Sequence, residues 1–461
     1  MIQSLDQTTI IAQCTPSGAG ALALIRLSGA NAITIASAIS RLGSEKKLAT
    51  FPSHTIHFGW VVEPNSGKQI DQVLFMLMRA PKTFTGENTV EITCHNNPFL
   101  IEQIIHTAIE AGARIAQEGE FSRRAFINGK IDLLQAEAIN ELIYASNQLS
   151  LKQSLSQLKG TFSHWIGQLE ADLIKSLAFT QASFEFLDEE LEFAHLIKNQ
   201  LEDTLLNIGK TYQTFDQQQR IREGVRVALI GSVNAGKSSL FNALIGQQRA
   251  IVTPIAGTTR DVIEVGIYKD FGYLTLIDTA GLRATKDVIE QEGIKRSWDE
   301  AERADTILLV LDGSRCLTSQ EKGIYYQLIE RYQQKIILIT TKADLSEKMV
   351  EELSFVGPQV KTSIQKPETI PLVHQAIQEH VIALISSLAT PFLLNKRHYN
   401  LLKTVDQQIC LAMTYLEDSS PTYELAVCHL QEALEVISQL SGKTISEKGM
   451  DAVFRQFCVG K

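Results

Sequence analysis

Between residues 231 and 238 the chain reads Gly231-Ser-Val-Asn-Ala-Gly236-Lys237-Ser238, the G-x-x-x-x-G-K-S spacing of a phosphate-binding loop. Glycines let the backbone wrap closely, so that successive N–H groups, here from Asn234 and Ala235 through Gly236 to Ser238 and Ser239, aim at phosphate oxygens. Lys237 is placed for the β- and γ-phosphates, and the Ser238 hydroxyl for Mg²⁺. Asp278-Thr279-Ala280-Gly281 supplies a second acid on the Mg²⁺ side and a glycine that senses the γ-phosphate. Between the two, Gly257-Thr258-Thr259-Arg260-Asp261 suits a switch loop whose Thr259 reaches Mg²⁺. Thr341-Lys342-Ala343-Asp344 adds a carboxylate that can accept from both N1–H and the 2-amino group of guanine, a donor pair that adenine lacks. Ser363, in Lys361-Thr362-Ser363, is a candidate fifth element. Together these define a guanine-nucleotide site with GTP as the expected substrate. The position after Asp-x-x-Gly, where a Ras-like enzyme orients water with Gln, is Leu282, so another group must position the water.

These motifs need a parallel sheet beneath them. Val225–Ile230, Leu274–Ile277, Ile307–Leu311 and Ile336–Thr340 are near-continuous apolar runs, as strands buried on both faces are. This predicts an α/β unit over 223–384. Upstream, residues 1–119 alternate strand-like runs (Thr9–Gln13, Ala21–Leu27, Thr55–Val61, Val73–Met78, Val90–Thr93) with a helix over Phe99–Ala111, an α+β pattern. Residues 120–222 and 385–461 have helical periodicity. Leu134, Ala138, Ile139, Leu142 and Ile143 share one face. So do Leu402, Val405, Ile409, Ala412, Met413 and Leu416, and likewise Val427, Leu430, Ala433, Leu434, Ile437 and Leu440; core face is the simplest reading, dimer seam the other. The expected architecture is multidomain, with an α/β domain inserted into an all-α domain, which is cheap where the inserted domain's ends lie close together.

The 461 residues are 44% hydrophobic and 21% charged, the balance of a globular protein of about three domains. A net charge of −9 excludes a general nucleic-acid coat, so a nucleic-acid partner must meet a local patch; Arg220, Arg222 and Arg226, or Lys396–His398, are candidates. Six cysteines at 14, 94, 316, 410, 428 and 458 show no C-x-x-C spacing. Without a signal-peptide pattern or a run of ~20 apolar residues, the expected location is the cytoplasm, with no membrane contact. All cysteines but Cys458 are expected to pack internally. Cys458 could pack beside Phe457 or act as a thiol near the end of the chain.

At this point the sequence resembles the MnmE (TrmE) family of tRNA-modification GTPases over essentially its full length. Gly-Thr-Thr-Arg-Asp and Asp-Thr-Ala-Gly-Leu-Arg have the family's forms. Phe84-Thr-Gly-Glu87, Gly119-Glu-Phe-Ser122, Leu133-Leu-Gln-Ala-Glu-Ala138 and the ending Phe457-Cys458-Val459-Gly460-Lys461 match too. The resemblance implies an N-terminal domain that binds tetrahydrofolate and dimerises, a helical domain, and an inserted GTPase domain that dimerises across K⁺-bound nucleotides. It implies a flavoprotein partner, MnmG (GidA), in a heterotetrameric or larger complex. The product is an aminomethyl or carboxymethylaminomethyl group at C5 of the wobble uridine of certain tRNAs, with 5-formyl- or 5,10-methylene-tetrahydrofolate as the one-carbon source.

By residue, the resemblance implies K⁺ ligation by Asn234 with Thr253, Ile255 and Thr258. From its type alone, Asn234 could equally be a turn residue. It implies that Glu290 orients the attacking water and that Arg26, Glu87, Lys130 and Lys461 contact folate; each could otherwise be a surface charge. It also implies a functional role for Cys458. The chain departs from the family pattern at Thr15-Pro-Ser-Gly18-Ala-Gly20-Ala21, at His95-Asn96-Asn97, at Val233 where proline is common, and at Thr341 where asparagine is usual. A GTP-dependent switch protein of ribosome assembly, without base chemistry, is the alternative class.

Overall fold

The computed structural model describes residues 8–43, 46–145, 147–182, 190–212, 215, 218–219, 224–246, 263–269, 272–278, 298–345, 353–386, 392–417 and 422–460. Thr253, Ile255, Thr258, Thr259, Thr279, Ala280, Gly281, Glu290 and Lys461 lie outside these, as do Arg220 and Arg222. Contacts divide the chain into two compact units. One comprises residues 1–140, 157–204 and 404–461, and the other 141–156 and 205–403.

The first unit opens with a seven-stranded sheet in the order β3-β4-β5-β6-β2-β1-β7. The strands are β1 (Ile10–Gln13), β2 (Leu22–Ser28), β3 (Ser40–Leu42), β4 (Thr55–Val62), β5 (Gln69–Met78), β6 (Thr89–His95) and β7 (Arg114–Ile115). All neighbours are antiparallel except β1 and β7. Alternation along β5 turns Val73, Phe75 and Leu77 inward to a core shared with helices α1 (Ala32–Ala38) and α2 (Pro98–Glu110). Helices α3 (Glu120–Ile127), most of α4 (Leu133–Ile143), α6 (Thr161–Ala182) and most of α7 (Glu190–Tyr212) follow in this unit, whereas α5 (Gln148–Leu158) falls mostly in the second.

The two helical stretches that the sequence places far apart meet in this unit. α6 packs against a late helix, Tyr423–Ser441, whose Ala426, Leu430, Ala433, Ile437 and Leu440 are buried. Lys443 ties its end to Glu170 at 2.6 Å. The last helix, Glu447–Phe454, joins α3 through Arg123–Asp451 at 3.1 Å and through a cluster of Leu133, Ala136, Met450, Phe454 and Phe457. The helical stripes are core faces, as expected, although Ile143 is exposed where its stripe predicts burial.

The second unit contains a six-stranded sheet in the order β13-β12-β11-β8-β10-β9. Its strands are β8 (Val225–Ile230), β9 (Ile263–Lys269), β10 (Gly272–Asp278), β11 (Thr306–Asp312), β12 (Ile336–Thr341) and β13 (Gln359–Lys361). All pair in parallel except β9, which is antiparallel to β10. The sequence predicted the four central strands. β9 escaped because an edge strand reading Ile-Glu-Val-Gly-Ile-Tyr-Lys lacks the doubly buried apolar run, and β13 because it has only three residues. β11 is buried at every position. Helices α8 (Lys237–Gly246), α9 (Ser319–Tyr332) and α10 (Ile370–Ser386) accompany the sheet, and Thr318 with Glu321 forms a full capping box at the start of α9.

Four cysteines correct the expectation of packing. Cys316, Cys410 and Cys428 are exposed and Cys14 is half-buried; Cys94 alone of that set is buried, and burial pushes its thiol pKa up to about 11. No described helix is long and apolar enough to cross a membrane.

Phe75 is fully buried in the sheet–helix core. Truncating it to alanine is expected to destabilise the first unit by roughly 3–5 kcal/mol, read as a lowered urea midpoint against the unchanged chain.

Candidate functional site

The phosphate loop sits at the carboxyl edge of the parallel strands, where α/β sheets hold ligands. Its first glycine is dictated by packing: a Cβ on Gly231 would lie 2.2 Å from the carbonyl oxygen of Val310 in β11. Residues 232–235 then form a reverse turn closed by Ala235 N–H to Ser232 O at 3.3 Å. Asn234 has φ +65°, the left-handed position that a type II turn demands at its third residue, and Val233 stands at the second. Asparagine tolerates that conformation, so the turn by itself accounts for its residue type. Gly236, with φ +91°, also needs its freedom. Lys237, buried at the start of α8, donates to Gly231 O at 2.7 Å and Ser232 O at 2.6 Å. Burial lowers its pKa, while nearby Asp278 pulls the other way. Asp278 is buried at the end of β10, and Ser238 and Ser239 lie exposed on the first turn of α8. A hydroxyl at a helix N-terminus with an acid nearby is a suitable donor set for Mg²⁺.

The guanine elements converge on the same edge. Ser363 Oγ donates a very short hydrogen bond to Asp344 Oδ1, holding the exposed carboxylate. That bond lowers the Asp344 pKa below the ordinary range. The fifth element is therefore a partner of the fourth, a connection that lies 19 residues apart in sequence. Lys342, at φ +52°, turns its ammonium onto Asp312 Oδ2 at 2.6 Å. Burial pushes the Asp312 carboxyl up, but hydrogen bonds from Lys342 and Ser314 outweigh it and the pKa ends low.

Thr341, at the position where asparagine is usual, turns toward the phosphate loop. Its hydroxyl lies 2.6 Å from Ala235 O in the phosphate loop and 2.9 Å from Leu311 O. One hydroxyl hydrogen serves one carbonyl at a time, and the shorter contact ties β12 to the loop.

Three of the four folate candidates cluster in the first unit. Glu87 accepts from Ser28 Oγ at 2.8 Å and from Arg124 at 3.1 and 3.2 Å. Arg26, two residues before Ser28 on β2, spends Nε and Nη2 on Glu91 (2.8 and 2.7 Å) and lies over the rings of Phe84 and Phe121. Lys130 runs past Gly86 and donates to Pro81 O at 2.8 Å. Sequence reasoning missed Arg124, which is fully buried and also bonds Glu120 and Thr8 O; its four-residue spacing from Glu120 on a helix was the available signal. Burial alone would raise the Glu120 pKa, yet donors from Arg114, the Gln117 N–H and Arg124 bring it low. Glu87 keeps spare lone pairs and Arg26 a spare edge, so both can still meet a pterin or a carboxylate.

The two departures in this domain meet each other. Asn96 Nδ2 donates to Gly18 O at 2.7 Å, across the two altered segments. His95 bonds Asp71 at 2.8 Å, and Asn97 caps α2 through the Phe99 N–H at 3.0 Å. The C-terminal tail docks beside them. Val459 bridges Glu118, and a Cβ on Gly460 would lie 2.2 Å from Gln13 O. Cys458 is exposed while Phe457 is buried, which corrects the packed alternative. Of the basic candidates, Arg226 pairs with Glu300 at 3.7 Å and His398 is buried.

The parallel sheet, with the phosphate loop and the Asp344–Ser363 pair at its edge, is that of a P-loop GTPase domain. Two family models cover nearly the whole chain. Residues 9–130 match that of the GTP-binding protein TrmE N-terminus, and residues 133–458 that of the MnmE helical domain. The tRNA modification GTPase MnmE of Geobacillus kaustophilus (strain HTA426) is 38% identical over 98% of this chain and 99% of its own. That of Geobacillus thermodenitrificans (strain NG80-2) is also 38% identical, and that of Bacillus licheniformis 36% over 98% and 100%. Among solved structures, the G domain of the T. maritima FeoB iron transporter aligns with 34% of this chain at 28% identity, TM-score 0.27. The chain belongs to the MnmE family of tRNA modification GTPases.

Replacing Asp344 with asparagine turns one of its two carboxylate acceptors into a donor. The variant is expected to lose at least about tenfold in GTP affinity and to gain relative affinity for xanthosine triphosphate, whose 2-oxo group accepts. Competitive fluorescence titration checks it. Because the Asp344 pKa lies below normal, the ionised acceptor persists as pH falls through the ordinary carboxylate range and is lost only below it.

Proposed function

We propose that this chain is a K⁺-stimulated, homodimeric GTP hydrolase of the cytoplasm. With the flavoprotein MnmG it modifies C5 of the wobble uridine of certain tRNAs, using a tetrahydrofolate one-carbon unit. The observation that carries the nucleotide part is the pairing of Asp344 with Ser363 on the same sheet edge as the Gly231–Ser238 loop. The expected segments are 1–119 for folate and dimerisation, 120–222 and 385–461 for the helical domain, and 223–384 for GTP.

In the proposed reaction, Lys237 exchanges loop carbonyls for β- and γ-phosphate oxygens. Backbone N–H groups from Asn234 to Ser239 hold the phosphates in line. Ser238 and Thr259, with Asp278 nearby, hold Mg²⁺. Asn234, Thr253, Ile255 and Thr258 hold K⁺, which offsets charge developing between the β- and γ-phosphates. Thr279, Ala280 and Gly281 face the γ-phosphate, and Glu290 orients the water in place of the missing glutamine. In the first unit, Arg26, Glu87, Lys130 and Lys461 seat the folate, which supplies the one-carbon unit, and Cys458 acts beside it.

An exposed apolar sheet face supports the dimer. Ile56 and Phe58 on β4 are 63% and 61% exposed, and they stand opposite Met76 and Leu74 on β5, away from the face that α1 and α2 cover. A contiguous apolar patch on an antiparallel sheet suits a second copy of the same surface.

Two measurements test the proposal. GTP turnover is expected to be faster in KCl than in NaCl at equal ionic strength; equal rates would remove the K⁺ ligands from the scheme. Nucleoside analysis of tRNA from a deletion strain is expected to show loss of the modified wobble uridine. A normal level there would favour the ribosome-assembly switch.

A further inference from the structure

The second residue of the phosphate loop is gripped from outside the loop. The Ser232 N–H donates to the Tyr325 hydroxyl at 2.8 Å, and Tyr325 is buried on α9. The Ser232 side chain accepts from Arg315 Nη2 at 3.3 Å. Arg315 in turn makes a two-pronged bond to Glu321 at 2.9 and 2.5 Å. Glu321 is fixed again by the capping box with Thr318, and its carboxyl is held down at about 2, with Arg315 the largest cause. Ser232 is thus pinned through its main chain to the middle of a separate helix and through its side chain to the segment just before it.

The turn that begins at Ser232 explains why such pinning matters. In a type II turn the second residue is best supplied by proline, whose ring presets φ near −65°. Here that residue is Val233, 78% exposed at the tip, which presets nothing. Freedom left in the turn is freedom left in Asn234 and Gly236, whose N–H groups must converge on phosphate.

We propose that Tyr325, supported by the Arg315–Glu321 pair, is a positioning residue of the nucleotide site, replacing from outside the rigidity that proline at 233 would build in. The inference rests on the GTP-binding reading of the loop. It assigns α9 a part in nucleotide affinity that its sequence does not announce.

The test is fluorescence titration of the full chain with a methylanthraniloyl-labelled GTP analogue, alongside thermal melting. Tyr325→Phe keeps the ring packed and leaves the Ser232 N–H without its acceptor; affinity is expected to fall roughly five- to tenfold. Val233→Pro alone is expected to tighten binding by about two- to fivefold. Placed in the Tyr325→Phe chain, Val233→Pro is expected to restore most of the loss, even where the melting temperature stays low. A merely structural tyrosine would leave Val233→Pro with only the gain it gives the parent chain, whereas the proposal expects a larger gain in the Tyr325→Phe chain. Unchanged affinity in Tyr325→Phe, or a loss that Val233→Pro leaves untouched, overturns the inference while GTP binding by the parent chain stands. No binding by the parent chain would take down the GTP reading and the inference with it.

Discussion

Backbone contact between the phosphate loop and β11 constrains everything in the nucleotide site. Gly231 lies so close to the Val310 carbonyl that no side chain fits between them. That approach fixes where β8 ends and the loop begins. Beyond it the loop is held at two more places, by Thr341 at Ala235 and by Tyr325 at Ser232. A loop whose task is to present N–H groups to phosphate can spend few of them on itself, here Ala235 N–H on Ser232 O, so the rest of its order has to come from neighbours. Three neighbouring elements, β11, β12 and α9, supply it.

Thr341 shows how a departure from the common pattern can keep its physical task. A threonine side chain is too short to serve both the loop and a base. The structure uses it for the loop, while Asp344 is paired separately with Ser363. The first unit repeats the lesson. Asn96 lies in one of the two segments that depart from the family pattern, and its amide reaches Gly18 in the other. Two segments that look independent in sequence meet in space.

Charge in the first unit is arranged rather than dispersed. Three guanidinium groups, Arg26, Arg114 and Arg124, face three carboxylates, Glu91, Glu120 and Glu87. Burying Arg124 fully is tolerable only because its N–H groups find Glu87, Glu120 and the Thr8 carbonyl. Each candidate ligand contact there is therefore already partly satisfied by protein, which orients the groups and leaves a lone pair or an N–H edge over. The glycine-bearing tail meets the same region at Gln13 and Glu118, close enough that Gly460 could carry no side chain.

Sequence alone determined the nucleotide chemistry. Apolar runs named the four central strands, and the phosphate loop, Asp278 and the Thr341–Asp344 motif each sit at the end of one, because strand ends and loop spacing are local properties. It also found the helical stripes, since periodicity needs no partner to be read. It could not see the edge strand β9, the exposure of Cys316, Cys410 and Cys428, or the occupation of Glu87 by Arg124. Nor could it join Ser232 to a tyrosine 93 residues away, or Thr341 to a carbonyl 106 residues back. Those facts depend on which surfaces come together after folding, and a hydrogen bond between distant residues leaves no spacing in the chain to mark it.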